Sequence, residues 1–138
     1  MMSIEKAKAL LQEGYTCALY KETQVLKSAQ RGVAPLLEWL ESDENFHGFS
    51  AVDKVVGKAA AFLYVLLGVK QVFAFVLSEE AEKVLIKYGI LVEYEQKVPM
   101  IRNRTNTGFC PMEQAVWEID DPAQAQEMIK KKRKELQN

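Results

Sequence analysis

Hydrophobic positions recur along the chain in two rhythms, and the elements follow from them. Over residues 3–13, Ile4, Ala7, Leu10 and Leu11 share one helical face, Ser3 can cap the first turn and Gly14 can end the last. A short amphipathic helix is predicted there. Residues 15–20 and 23–28 read as strands, and Lys21-Glu22 between them suits a tight turn, which predicts a hairpin. Pro35 then sits in the first turn of a helix running to about Glu41, where proline costs least. Residues 42–48 are polar and read as a surface loop. Ser50 reads as the N-cap of the next helix, with Asp53 three positions on and Gly68 as its stop. Val52, Val56, Ala59, Phe62, Leu63 and Leu67 surround most of that helix, so it is expected to be buried.

The run QVFAFVL at 71–77 is apolar without interruption, the mark of a strand covered on both faces. Ser78 caps a helix that opens with Glu79 and Glu80 and ends at Gly89; residues 91–95 form another strand. Cys110-Pro111 opens a short helical turn, and a last helix starts near Pro122 and ends in the basic run 130–134. Hairpin strands followed by strand–helix–strand crossovers predict a mixed sheet with helices on both faces. One domain over 1–138 is expected, with the helices at 1–14 and 122–138 as additions.

Composition narrows the functional classes. Hydrophobic residues are 49% of the chain and charged residues 27%, which supports a core, and the net charge of −1 gives no overall basic field. Broad electrostatic binding to nucleic acid is therefore not expected. Two cysteines, Cys17 and Cys110, do not make a disulfide framework. The apolar run at 59–69 is too short to span a bilayer, and the first residues carry Glu5, Lys6 and Lys8 where a signal peptide would be apolar. A reducing, cytoplasmic setting without membrane contact is expected.

Three blocks carry a resemblance: GFSAVDKVVGKAAAFLYVLLGV from Gly48, VFAFVLSEEAEKVLIKYGI from Val72, and VPMIRNRTNTGFCPME from Val98. Together they resemble a small prokaryotic family of unknown function assigned to the cytidine-deaminase-like fold. The resemblance implies a three-layer αβα arrangement. It does not imply the activity, because a fold hosts many functions. A zinc deaminase needs an HxE or CxE pattern at one helix start and PCxxC at the next, so that the metal activates water and the glutamate moves the proton. Here the expected helix openings are Ser50-Ala51-Val52-Asp53 and Ser78-Glu79-Glu80-Ala81, and His47 is followed by Gly48-Phe49. No zinc-dependent deamination and no resident cofactor or metal are expected.

Several residues could still carry chemistry. Asp53, Lys54 and Lys58 lie where the parent fold keeps its active site; two lysines four apart on a helix would point the same way and could hold a phosphate. The ordinary alternative is a capping box for Asp53 and a solvated stripe for the lysines. Arg102, Asn103, Arg104, Thr105, Asn106, Thr107 and Gly108 form a polar run that could make an anion nest, or simply a solvent loop. Cys110 at a helix start near arginines could be a nucleophile, with His47 as its only available imidazole partner, or a small buried apolar residue. Glu113 could cap the turn that Cys110 begins. His47 is expected to be exposed, Trp39 and Trp117 to pack, and the basic tail to be solvated.

Three readings follow. In the first, Asp53, Lys54 and Lys58 form one wall of a metal-free pocket and Asn103, Arg104 and Cys110 the other, for a small anionic ligand such as a nucleotide or a derivative. In the second, the chain is a non-catalytic interaction module or a homo-oligomer subunit. The third is a Cys110-dependent enzyme.

Overall fold

The computed structural model describes residues 1–103 and 105–137. Strand β1 (Cys17–Lys21) and strand β2 (Gln24–Ser28) follow helix α1 (Ile4–Gln12); then come α2 (Ala34–Glu41), β3 (Ser50–Val56), α3 (Lys58–Leu67), β4 (Gln71–Ser78), α4 (Glu79–Lys87), β5 (Leu91–Val98), α5 (Pro111–Val116) and α6 (Pro122–Gln137). The strands form one mixed sheet in the order β2-β1-β3-β4-β5. The β1–β2 and β1–β3 pairs are antiparallel, and the β3–β4 and β4–β5 pairs are parallel.

Helices cover both faces, unequally. On one side α1 alone lays Ala7 and Leu11 against Ala18, Tyr20, Val52 and Phe73. Ser3 starts that helix as expected, its Oγ accepting from the Lys6 amide at 3.2 Å. Burying the Leu11 side chain there stabilises by about 2 kcal/mol. On the other side α2–α6 pack over a larger core that includes Leu36, Phe62, Leu63, Leu85, Val116 and Ile129. QVFAFVL forms most of β4, an interior strand paired on both edges, which accounts for its unbroken apolar character. Ser78 caps α4 by accepting from the Ala81 amide at 3.0 Å.

One expected element is corrected. The segment from Ser50 to Leu67 is not a single helix: residues 50–56 are strand β3, and the helix begins only at Lys58 after Gly57. Val52, Val55 and Val56 are β-branched and suit a pleated strand, while the Ala59-Ala60-Ala61 run suits a helix. No helix among the described residues is long and apolar enough to cross a membrane.

Candidate functional site

The change from strand to helix at Gly57 creates the site. Asp53 lies on β3, opposite Cys17 of β1 and Ala74 of β4, so it is interior to the sheet. Its side chain is on the α3 side, where Oδ2 accepts from the Tyr64 hydroxyl at 2.7 Å and Oδ1 from the Val55 amide at 3.3 Å. Burial raises the Asp53 carboxyl to about 7, against the partial relief given by Tyr64 and the Val55 and Lys54 amides. Burial likewise pushes the neighbouring Cys17 thiol and the Tyr64 phenol well up. The capping box expected of Ser50 and Asp53 does not form, because neither residue stands at a helix start.

Helix α3 has no capping side chain of its own. Its N-cap is Gly57, and the cap is supplied from fifty-five residues away by Glu113 of α5. Glu113 Oε1 accepts from the Lys58 amide at 2.6 Å and Oε2 from the Ala59 amide at 2.8 Å. The carboxylate thus meets both the free amides and the positive end of the helix dipole. Burial raises the Glu113 carboxyl, while those amides and the Lys58 charge pull it back. Glu113 therefore does not cap the turn that Cys110 begins; α5 has no side-chain cap.

Lys54 and Lys58 do not share a face. Lys54 is exposed on β3, whereas Lys58 is buried in α3, where its Nζ donates to the Trp117 carbonyl at 2.7 Å. With Glu113 this makes a two-ended clamp of α5 onto the start of α3.

Between β3, α3 and α5 lies a cavity of about 350 Å³. Asp53, Lys54, Cys110 and Glu113 line it, with Arg31, Thr16 and an apolar remainder that includes Ile101 and Met112. Lys58 lines a separate hollow beside Glu80 and Asp120. Asn103 and Thr105 line a neighbouring cleft that shares Arg31 and Cys110 with the first. Gly108 lines neither, and Arg104 is outside the described residues. The loop amides at Thr107 and Gly108 are met by Asn103 Oδ1 at 3.0 and 3.4 Å, so they are not free to cradle an anion. His47 is exposed and lies against Gly68 at the far end of α3, so no Cys110–His47 pair is assembled. Tyr64, Arg31 and the capping role of Glu113 were not singled out from the sequence. The available signals were a single hydroxyl on an apolar helix and a glycine N-cap that needs a cap from elsewhere.

The residues do not fit a deaminase zinc ion. The helices that flank β4 open with Gly57-Lys58-Ala59-Ala60 and Ser78-Glu79-Glu80-Ala81, which offer neither thiol nor imidazole, and the α3 amides already hold Glu113. Among the described residues no group of three or more His, Cys, Asp and Glu side chains is placed to hold a metal.

The architecture matches solved structures. The crystal structure of a DUF1893 family protein (TM1506) from Thermotoga maritima superposes with a TM-score of 0.85 at 27% identity, covering 94% of this chain and 88% of that one. The apo dCMP deaminase of cyanophage S-TIM5 superposes with a TM-score of 0.50 at 15% identity, covering 70% of this chain and 100% of the other, which establishes the deaminase-like fold alone. No match was found among curated proteins. The family described as TM1506, domain of unknown function (DUF1893), matches residues 5–133, and the chain belongs to that family.

Proposed function

We propose that this protein binds a small anionic molecule in the metal-free cavity between β3, α3 and α5. The observation that carries the reading is a 350 Å³ space with an apolar lining, two buried carboxyl groups and two cations, Arg31 and Lys54, among its walls. Small-molecule sites of this kind are apolar hollows of about 300–1,000 Å³ with a few polar groups that fix orientation. Asp53 and Glu113 would meet hydrogen-bond donors on the body of the ligand, and Arg31 and Lys54 its charge. Nucleotides and their derivatives are the first class to test, since the fold is shared with a dCMP deaminase.

Thermal unfolding with a panel of nucleotides, sugar phosphates and small carboxylates tests the reading. At least one should raise the midpoint in a saturable way, with about 2.7 kcal/mol of stabilisation at a hundred times Kd. Lys54→Ala should weaken the effect, while Lys70→Ala, on the far side of the sheet's strand ends, should not. A panel that gives no shift at all contradicts the reading.

Self-association is a second reading, favoured by the open edge of the sheet. Among the described residues β5 pairs only with β4, and Leu91, Tyr94 and the nearby Ile86 are exposed at 69%, 39% and 61%. Unpaired strand edges beside apolar side chains are templates for pairing with another chain. Light scattering at micromolar protein should then give twice the chain mass; a monomer removes this reading.

A further inference from the structure

Three arginines from distant parts of the chain line one cleft. Arg31 lies between β2 and α2, Arg102 in the connection after β5, and Arg133 in α6. The cleft measures about 530 Å³ and adjoins the first cavity, with which it shares Arg31, Val33, Cys110 and Met112. Its other described walls are apolar or neutral, and none is an aspartate or glutamate. The ion pairs among the described residues are made by Lys83, Lys97, Lys130 and Lys132, and none involves these arginines.

Three like charges around one cleft repel one another weakly where solvent screens them, and they give the cleft a positive potential that an anion offsets. Arg31 and Arg102 are exposed and Arg133 is half-buried. Arg102 is in a backbone bridge with Phe109, and its Nη2 donates to the Asn106 carbonyl at 3.4 Å. Arg133 lies one turn beyond the fully buried Ile129. Guanidinium forks match oxyanions, and three forks suit a group with three or more exposed oxygens better than a two-oxygen carboxylate.

We propose that this cleft is a binding site for a phosphate or pyrophosphate group. The inference extends the ligand reading above and rests on it for the rest of the molecule, whose body would lie in the adjoining cavity past Cys110 and Met112. The anionic group itself can be tested alone.

Titration calorimetry with pyrophosphate on the full chain provides that test. Saturable binding is expected, weaker at higher salt. Arg102→Gln and Arg133→Gln should each raise Kd by about tenfold. Lys134→Gln removes an equal charge from the same helix outside the cleft and should leave Kd nearly unchanged. Thermal unfolding of each variant shows that it is folded. No saturable binding, or an equal loss in Lys134→Gln, overturns the proposal. Asp53→Asn should not affect pyrophosphate, so pyrophosphate binding without any cavity ligand would leave this site standing and refute only the reading before it.

Discussion

The Glu113 carboxylate occupies the space where a β-carbon at residue 57 would be, and Gly57 is what leaves it room. The glycine is required by this contact and not by its backbone, since its φ is −101°. Gly57→Ala should therefore displace the carboxylate and leave the Lys58 and Ala59 amides without their partner. A loss of about 1–3 kcal/mol is expected in denaturant unfolding. An alanine variant as stable as the parent would mean that the contact contributes nothing.

Asp53 links stability to pH. Its folded pKa, about 7, lies above the ordinary value of 3.8, so the folded state holds the proton more tightly than the unfolded one. The stability this gives is full below about pH 4 and is lost as pH rises through about 7, a change on the order of 2–4 kcal/mol. Glu113 shifts in the same direction. Asp53→Asn can still accept from Tyr64 through its amide oxygen. Unfolding at pH 5 and pH 8 should show a smaller fall in the variant than in the parent. Equal falls would show that Asp53 is not the source.

The two thiols should differ in reactivity. Cys17 is 2% exposed and its thiol is pushed up by burial, whereas Cys110 is half-buried and lines both hollows. Alkylation of native protein followed by peptide mass spectrometry should modify Cys110 first, with Cys17 reacting after unfolding. Labelling of Cys17 first would contradict the burial described for β1.

Lys58→Met keeps an unbranched buried side chain, one atom shorter, and removes its donor to Trp117. The orphaned carbonyl should cost about 1–3 kcal/mol, and amide exchange in α5 should quicken before that in α3. An unchanged exchange pattern would show that the lysine does not hold the end of α5.

Much of the fold was legible because single residues mark its boundaries. Ser3 and Ser78 cap helices, Gly68 ends one in the left-handed region, and the apolar run at 71–77 can only be interior. The site was less legible, first because of the junction at Gly57. The valines before it and the alanines after it are both apolar, so the pattern reads as one long helix although the backbone changes period there. That reading put Lys54 and Lys58 on a common face, and the strand–helix turn separates them. The Glu113 cap and the meeting of Arg31, Arg102 and Arg133 depend on tertiary contacts that no local spacing encodes.

The ligand site is tested most directly by methyl NMR of the cavity. Ile101, Met112 and Val55 line it, while Ile4 and Leu10 lie on the α1 side of the sheet. Titration with the anion that most raises the unfolding midpoint should move the cavity methyls saturably and leave the α1-side methyls in place. Unmoved cavity methyls at ligand concentrations that stabilise the protein would contradict the account.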